Sequence, residues 1–208
     1  WTSFNVVSYF RVAVRKQLGI KKIKVGHAGS LDPKATGILL LATGRATKCI
    51  ERLMDGTKEY VAELKFGATT PSFDTEHEED ATFPYEHITE ANLRDELQRM
   101  QGEQMQVPPL FSAISVNGKR AYHLARKGVE HSLPPKRILL SELELLDFHL
   151  PYARLRIVCS RGTYIRALAR DLGIAMDSGA YLTALERTRV GQISVEDAFD
   201  IEALPDLI

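Results

Sequence analysis

Twelve residues near the start of the chain read Gly26-His27-Ala28-Gly29-Ser30-Leu31-Asp32-Pro33-Lys34-Ala35-Thr36-Gly37. Three glycines, a proline and a single carboxylate stand here between two apolar runs, residues 23–25 and 38–42. Because glycine permits backbone angles that other residues resist and proline fixes its own, Asp32 is predicted to lie on a tightly shaped loop between two strands. Such a loop can carry a reacting group, or it can be a plain Asp-Pro turn in which Asp32 bonds its own backbone.

The bulk composition is that of an ordinary globular protein. The chain has 208 residues, of which 44% are hydrophobic and 26% are charged, enough for one sizeable core. No apolar stretch reaches the length of a membrane span and no signal peptide is visible, so we expect a cytoplasmic protein without membrane contact. Cys49 and Cys159 stand far apart in apolar runs, which predicts two buried, reduced thiols rather than a zinc site.

The formal net charge is zero, but the charge is sorted along the chain. Residues 1–55 carry ten Lys and Arg against three Asp and Glu, and residues 105–170 carry eleven against four. The other two segments are acidic, with two against ten in residues 74–104 and two against eight in residues 171–208. Two basic segments can fold into one anion-binding surface, or each can simply solvate its own part of the surface.

The twelve residues lead to Thr43-Gly44-Arg45-Ala46-Thr47-Lys48, and the two stretches together closely resemble the signature of the TruB family. This family comprises the pseudouridine synthases that modify the T-loop uridine of transfer RNA. The resemblance implies that Asp32 is the catalytic residue. It also implies that His27, five residues earlier on the same loop, fills the gap that a flipped-out base leaves in the RNA. Without the motif, a lone histidine would be interpreted as a satisfied turn residue.

A second motif lies on a predicted strand. Apolar and polar residues alternate from residue 60 to residue 66, the period of a half-buried strand, so Tyr60 is a candidate core aromatic. The Lys-x-Tyr placement at residues 58–60 is similar to the family's second motif, which implies that Tyr60 stacks on the target base. The turn-rich residues 67–74 also resemble the family, and they imply that Asp74 is a structural or site-lining carboxylate.

Residues 160–166, Ser-Arg-Gly-Thr-Tyr-Ile-Arg, form a predicted strand–glycine–helix junction. Because a helix N-terminus favours anions, Arg166 in the first turn has a geometric reason to reach back to a carboxylate or a phosphate. The alternative is a surface salt bridge, which would contribute little. The junction resembles the family's third signature, which implies that Arg166 pairs with Asp32 and that Tyr164 lines the uridine pocket.

Residues 179–187 resemble the fourth motif of the family. The leucine of that motif, here Leu185, is implied to pack against the base. The family commonly has two basic residues after this leucine, and Glu186 replaces the first of them. That substitution puts one RNA contact of the family in question and leaves the chemistry untouched.

Residues 112–137 are predicted to form a basic arm. Pro108-Pro109 excludes a central strand, and Asn117-Gly118 is the strongest short signal for a hairpin. The basic residues that follow are Lys119, Arg120, Arg126, Lys127, Lys136 and Arg137. They suit an arm that clamps an RNA backbone, or an ordinary surface excursion. The stretch resembles the family's insertion that grips the T-arm, except that Ser115 stands where the family usually has a lysine.

The remaining patterns predict regular elements. Thr2-Ser3 is a helix cap, and the helix that follows is predicted to end at Gly19. Its apolar face is predicted to comprise Val6, Phe10, Val14 and Leu18. Its basic residues are interpreted first as solvent-facing side chains and second as phosphate contacts; they are Arg11, Arg15 and Lys16. The lysines that follow are predicted to point toward the Asp32 loop, or are ordinary basic residues flanking a strand; they are Lys21, Lys22 and Lys24. Further helices are predicted over residues 45–54, 89–101, 165–173 and 194–208, the last amphipathic and starting at Ser194. Long strands are predicted over residues 138–150 and 152–160.

These elements and motifs together imply an α+β pseudouridine synthase fold. We expect one catalytic domain over residues 1–208, built on a long, mainly antiparallel mixed sheet flanked by helices, with a central RNA-binding cleft and the protruding basic arm. Many bacterial members of the family continue into an RNA-binding PUA domain, and none is visible in these 208 residues.

The implied reaction breaks the N1–C1′ bond of uridine, turns the base and joins C5 to C1′. It consumes nothing, so no cofactor is expected, and one carboxylate can supply covalent or acid–base help. The expected partner is the T-arm of tRNA, and nothing in the sequence demands more than a monomer. Two rival classes stay open: a non-catalytic tRNA-binding or RNA-folding protein on the same fold, and a glycoside hydrolase, which normally uses two carboxylates.

Overall fold

A computed structural model describes residues 1–112, 114–116, 118–121, 123 and 133–203. The chain forms two compact units. Unit 1 contains Trp1–Tyr60 and the described residues from Glu186 onward, and unit 2 contains Val61–Leu185. Both boundaries fall inside strands, so two strands contribute residues to each unit. No helix in the described ranges is long and apolar enough to cross a membrane.

Helices and strands alternate irregularly along the chain, which confirms the predicted α+β class. The α-helices are α1 (Ser3–Leu18), α2 (Ile50–Met54), α3 (Glu90–Arg99) and α4 (Ile165–Ala175). The strands of the first half are β1 (Val25–His27), β2 (Thr36–Gly37), β3 (Leu41–Thr43), β4 (Lys58–Phe66), β5 (Ala68–Thr69) and β6 (Ala81–Thr82). Those of the second half are β7 (Gly102–Gln106), β8 (Ser115–Val116), β9 (Lys119–Arg120), β10 (Lys136–His149), β11 (Tyr152–Cys159), β12 (Ala180–Val190) and β13 (Ile193–Ser194).

Helix α1 of unit 1 starts and stops where the sequence predicts. The Thr2 side chain accepts from the Asn5 N–H at 3.1 Å, and Gly19 takes a left-handed conformation with φ 63°. The buried face differs from the prediction, because it comprises Ser3, Val7 and Val14, whereas Leu18 is 59% exposed. Val14 is buried as predicted. In the first turn the face is rotated by one residue, so that Val7 is buried and Val6 half-buried, since the two are equally apolar and the sequence alone does not choose between them.

The loop with Asp32 is set between short strands of unit 1. Strand β1 pairs antiparallel with β3, so that His27 lies opposite Leu41. Strand β2 adds in parallel to the end of β12, with Gly37 opposite Arg187. A Cβ atom at Gly37, whose φ is 99°, would overlap the Arg187 backbone, so glycine is required at this close approach.

The segment after β3 is helical, as predicted, but begins as a 3-10 turn over Gly44–Cys49 before α2. The prediction that Cys49 is buried is wrong, because this turn buries none of its residues and the thiol is exposed. Cys159 is buried in β11, as predicted.

Unit 2 is built on a sheet with the strand order β7-β10-β11-β4-β12. Strand β10 pairs antiparallel with both β7 and β11, and the two predicted long strands are therefore confirmed. Helices α3 and α4 supply apolar faces to the core of this unit. The fully buried core side chains of the unit include Leu64, Phe66, Leu93, Leu140, Leu155, Ile157, Leu168 and Leu172. Helix α4 continues past the predicted stop at Gly173 to Ala175; a Cβ atom at Gly173 would overlap the Ala180 backbone.

The predicted arm is described only in part. Strands β8 and β9 pair with Val116 opposite Lys119, which confirms the two-residue hairpin connection. Arg126 and Lys127 lie outside the described residues. Lys136 and Arg137, which were predicted with the arm, instead begin strand β10.

The predicted terminal helix is wrong over the described residues 194–203. Ser194 caps a 3-10 turn, Val195–Asp197, and a second turn follows at Ile201–Ala203, with Ala198 extended between them. A continuous helix needs an apolar face that packs, and Phe199 is instead exposed. Residues 204–208 lie outside the described part.

Candidate active site

Asp32 lies half-buried on its loop in unit 1. The Ala35 N–H donates to the Asp32 carbonyl at 3.0 Å, which closes the turn around Pro33. The residue before Asp32 is held by the first turn of α1, because the Leu31 N–H donates to Ser3 Oγ at 2.9 Å and Ser3 Oγ donates back to the Leu31 carbonyl at 3.3 Å. Thr2 is the helix cap, so the Ser3 hydroxyl is available for this contact.

A buried arginine holds the two ends of the same loop together. Arg187 is 1% exposed, and its guanidinium donates to the carbonyls of Ile38 at 2.8 Å, Ser30 at 3.3 Å and Gly29 at 3.3 Å. The Arg187 carbonyl in turn accepts from the Ile38 N–H at 2.9 Å. The planar five-donor guanidinium can satisfy several carbonyls at once, and a buried charge requires such partners. Arg187 is therefore a structural clamp on the loop and is not exposed for an RNA contact.

His27 ends strand β1, where the Ala28 N–H next to it donates to the Leu40 carbonyl at 2.9 Å. Its Nδ1 atom is buried and has no hydrogen-bond partner among the described residues. A buried polar atom without a partner costs about 1–3 kcal/mol. The prediction that His27 is a satisfied turn residue therefore fails for this nitrogen.

Tyr60 is 8% exposed and belongs to the buried face of β4, which confirms the predicted alternation. Two residues earlier, Lys58 is also buried, and its Nζ donates to the carbonyls of Met54 at 2.8 Å and Gly56 at 3.0 Å. These bonds place a cation at the C-terminal end of α2, where the helix dipole favours it. Lys58 thus fixes the start of the strand that carries Tyr60.

Arg166 is 5% exposed in the first turn of α4 in unit 2. Its guanidinium donates to the Ser72 carbonyl at 3.1 Å and to the Phe111 carbonyl at 3.0 Å, and its Nε lies 3.5 Å from Asp74 Oδ2. The interpretation of Arg166 as a surface salt bridge is therefore wrong. Its pairing with Asp32 joins residues of different units and stays a prediction.

Asp74 is 6% exposed, and its carboxylate is engaged by its own loop. Oδ1 accepts from Ser72 Oγ at 2.6 Å and from the Glu76 N–H at 2.9 Å, while the Asp74 carbonyl accepts from Thr70 Oγ1 at 2.7 Å. The residue before it, Phe73, has a φ of 58°, a conformation that costs energy for a bulky side chain. These contacts favour the structural alternative for Asp74.

Tyr164 precedes α4 as its N-cap residue. The side-chain amide of Gln106 bonds its backbone in both directions: the Tyr164 N–H donates to Oε1 at 2.9 Å, and Nε2 donates to the Tyr164 carbonyl at 3.2 Å. Gln106 is buried and opens the Gln-x-Pro-Pro stretch, so it fixes the backbone from which the Tyr164 side chain projects. Leu185, the remaining predicted site residue, is half-buried on β12.

A polar cluster on β4 and β12 of unit 2 carries the clearest electrostatic shifts. Lys65 Nζ lies 2.6 Å from Glu79 Oε1, and the Tyr181 hydroxyl donates to the same oxygen at 2.8 Å. The hydrogen bond from Lys65, followed by that from Tyr181, lowers the pKa of Glu79, and the bond to Glu79 raises the pKa of Lys65. Burial is the main cause that raises the pKa of Tyr181.

The predicted site residues thus fall into two groups. His27, Asp32 and Tyr60 belong to unit 1, and Asp74, Tyr164, Arg166 and Leu185 belong to unit 2. Sequence reasoning missed three supporting residues, Ser3, Gln106 and Arg187. Ser3 was predicted only as part of a helix cap, Arg187 follows the position at which Glu186 replaces a basic residue of the family, and Gln106 had no predicted role. No group of three or more His, Cys, Asp or Glu side chains that could hold a metal ion occurs in the described ranges.

Comparisons with known proteins show the family to which the chain belongs. Residues 15–165 match the family described as TruB family pseudouridylate synthase (N terminal domain). A protein of Phocaeicola vulgatus named tRNA pseudouridine synthase B is 56% identical over 206 residues, which cover 99% of this chain and 88% of that protein. The protein of the same name from Flavobacterium johnsoniae is 46% identical over 202 residues, covering 97% and 88%.

Solved structures give the same assignment at the level of the fold. The archaeal box H/ACA sRNP Nop10-Cbf5 complex contains a chain that matches with a TM-score of 0.68 and 25% identity. A Cbf5-Nop10-Gar1 complex contains one that matches with a TM-score of 0.71 and 27% identity. In both cases the match covers 99% of this chain and 50% of the other chain, so this chain spans about half the length of those proteins. On the family match and the identities together, the chain belongs to the TruB family of pseudouridylate synthases.

Proposed function

We propose that this chain isomerises uridine to pseudouridine at position 55, in the T-loop of transfer RNA. The observation that carries the proposal is Asp32, a half-buried carboxylate on a loop that Arg187 and Ser3 hold from two sides. The named relatives, tRNA pseudouridine synthases B, support the reaction and the RNA class. We further propose that both units belong to one catalytic domain, that the enzyme grips the T-arm, and that it acts as a cytoplasmic monomer.

The chemistry needs a fixed carboxylate and flat surfaces that hold the base. The N1–C1′ bond breaks, the base turns, C5 joins C1′, and the proton lost from C5 is balanced by one gained at N1. Asp32 serves by attacking the sugar or the base, or by removing a sugar proton. Arg166 is proposed to pair with Asp32 and favour its ionised form, because an adjacent cation stabilises a carboxylate.

Three side chains are proposed to hold the base while it turns. Tyr60 stacks on it, and Tyr164 and Leu185 surround it. The buried position of Tyr60 on a regular strand and the double bond of Gln106 to the Tyr164 backbone both support rigid placement of these rings. Rigid positioning of a reactive fragment is a large part of enzymatic rate enhancement.

His27 is proposed to fill the gap left by the extruded uridine. Extrusion of a stacked base costs a few kcal/mol, so a replacement contact in the RNA is useful. The unpartnered Nδ1 atom supports this role, because the imidazole can leave its present position without breaking a hydrogen bond at that nitrogen.

The test is a pseudouridine assay on T-arm RNA and on full-length tRNA, using the protein, Asp32→Asn and Asp95→Asn. Asp95 is an exposed acid on α3 in unit 2 and serves as the matched control. We expect turnover by the protein and by Asp95→Asn, and none by Asp32→Asn, whose RNA affinity stays within about twofold. Pseudouridine formation by Asp32→Asn would disprove the catalytic assignment. Binding without turnover by the unmodified protein would favour a tRNA-binding or folding protein, and release of free uracil would favour a glycoside hydrolase.

A further inference from the structure

Unit 1 contains an open cleft of about 670 Å³ beside the candidate active loop. Its lining combines the C-terminal half of α1, residues 21–26 and one residue of the 3-10 turn. The lining residues include five cations, Arg11, Arg15, Lys21, Lys22 and Lys24, and no acid. We call it the basic cleft.

The local sequence explains how these cations come together. The left-handed Gly19 ends α1, and the Ile20 N–H donates to the Arg15 carbonyl at 3.2 Å, so the chain turns back immediately. Residues 21–25 then run past the helix, and Arg11 Nη2 reaches the Val25 carbonyl at 3.5 Å. On the other side, the Lys24 carbonyl accepts from the Gly44 N–H at 2.9 Å. The five cations therefore line the same cleft.

Most arginines that the structure describes on unit 2 have their charge matched by a carboxylate. Ion pairs hold Arg94 to Glu90, Arg99 to Glu96, Arg137 to Glu103, Arg156 to Glu142 and Glu144, and Arg170 to Asp171. In the basic cleft, no described carboxylate forms an ion pair with any of the five cations. Because like charges at short range repel, such a cluster is stabilised by an anion that comes from outside the chain.

The shape of the cleft favours an extended polyanion over a single small anion. Arg11 and Arg15 lie four residues apart on a helix, so their backbones are separated by about 6 Å along its axis. Lys21, Lys22 and Lys24 form a second row along the chain, and the cleft that both rows line is open to solvent. A sugar–phosphate chain offers a run of charges to such rows, and backbone phosphates are the commonest partners of Lys and Arg in RNA-binding proteins.

The cleft also leads directly to the candidate active loop. Val25 and Gly26 line it, and the next residue along β1 is His27, about 3.3 Å further in backbone rise. We propose that the basic cleft binds the sugar–phosphate backbone of the substrate RNA next to the nucleotide that is modified. The proposal rests on the proposed function for the identity of the RNA.

The test compares two variants of equal charge change. The cleft variant is Lys21→Gln/Lys22→Gln/Lys24→Gln, and the control is Arg94→Gln/Arg99→Gln/Arg154→Gln, which removes three exposed cations from unit 2. Affinity for T-arm RNA is measured from 50 to 200 mM salt, together with kcat and KM for pseudouridine formation. Losing three phosphate contacts should reduce the slope of log affinity against log salt by about 2, because each contact contributes about 0.7–0.9. We expect KM to rise about 10-fold with kcat within about twofold, and the control to resemble the parent.

The other outcomes overturn the proposal in distinguishable ways. Equal losses in the two variants would mean a general effect of net charge, and no loss in either would mean that the cleft does not touch RNA. Loss of binding to phosphatidylserine vesicles with RNA binding intact would assign the cleft to a membrane surface instead. If the unmodified protein makes no pseudouridine, the salt slopes for T-arm RNA still decide whether the cleft binds it, so the two proposals fail separately.

Discussion

The Asp32 loop of unit 1 and the Asp74 loop of unit 2 use the same two residue types in different ways. Each loop carries one aspartate and is held by one buried arginine. In the first loop, all the guanidinium bonds of Arg187 go to backbone carbonyls. In the second, Arg166 lies against the carboxylate itself, and Ser72 and the Glu76 N–H also bond to it.

In the Asp32 loop the arginine restrains the backbone, whereas in the Asp74 loop the arginine contacts the carboxylate itself. An aspartate whose oxygens are used up by its own loop is fixed, buried and poorly placed to react. In the Asp32 loop, Arg187 and Ser3 restrain the backbone, which supplies part of the rigidity that catalysis requires. The bonds within the Asp74 loop support a structural role for Asp74, and the chemistry of Asp32 stays a proposal.

The sharpest test of the comparison is the pair Asp32→Asn and Asp74→Asn. Asp32→Asn should lower kcat by about 1,000-fold or more, because the proposed reaction depends on this carboxylate. Asp74→Asn should lower kcat by about 10- to 100-fold and also destabilise unit 2 by about 1–3 kcal/mol, because the contact between Arg166 and a buried charged carboxylate is lost. Single-turnover kinetics and urea unfolding measure both. Equal loss of activity without loss of stability at Asp74 would mean that it takes part in the chemistry.

Arg187 offers the next largest effect. Arg187→Ala removes the guanidinium that bonds three loop carbonyls and leaves a cavity in its place, and it should cost about 3 kcal/mol of stability. Arg187→Lys keeps the charge but not the planar fork, so we expect a smaller cost and a kcat about 10-fold lower with KM nearly unchanged. Thermal unfolding and steady-state kinetics check the two variants.

The split between kcat and KM distinguishes Arg187 from the basic cleft. A residue that touched RNA phosphates would raise KM and flatten the salt dependence when substituted. If Arg187→Lys raises KM and leaves kcat unchanged, the residue contacts RNA and the clamp assignment is wrong.

Much of the fold could be predicted because it follows from local patterns. The Thr2 and Thr89 caps, the alternation in β4 and the paired strands β10 and β11 are each specified within a few residues of sequence. The failures have a common cause as well. The rotated face of α1, the exposed Cys49 and the broken terminal helix all depend on what packs against a segment, which no local pattern records.

The candidate site residues were predicted from family motifs, whereas the residues that fix their backbone were not predicted. Asp32 and Arg166 stand out in the sequence because each is a charged residue within a distinctive glycine-containing motif. Arg187 and Gln106 act through backbone atoms that are 149 and 58 residues away in the chain, at Ile38 and Tyr164. Sequence spacing carries no information about such contacts. A basic residue near a motif, such as Arg187, is therefore easily interpreted as an RNA contact when it is in fact a buried structural residue.

Ser3→Ala measures the weaker of the two supports of the Asp32 loop. It removes the hydroxyl that bonds the Leu31 N–H and carbonyl, so we expect about 1 kcal/mol of destabilisation and a kcat lower by about threefold. Thr2→Ala is the matched control, because it removes the neighbouring cap at a similar cost in stability but does not touch the loop. Equal kcat values in the two variants would show that the Ser3 contact does not position Asp32.

The smallest effect is expected at an exposed carboxylate of unit 2, Glu79. Its hydrogen bond from Lys65 lowers its pKa in the folded state, so its contribution to stability is complete above the ordinary range of a glutamate pKa. That contribution is lost as the pH falls through this range towards the folded pKa. Glu79→Gln should therefore lose less stability than the parent between pH 6 and pH 3, moving the acid-unfolding midpoint by only about 0.3 pH unit because exposed pairs are screened.

Glu78→Gln is the control for this pair, since Glu78 is an exposed neighbour of the same type. Circular dichroism at a series of pH values measures the midpoints. A shift of more than about 1 pH unit would mean that solvent does not screen this pair, and the contrast between a buried, loop-bonded carboxylate and a screened one would fail. A small shift identifies Glu79 as a solvent-screened acid, and it separates that acid from Asp74, whose carboxylate is buried and bonded by its own loop.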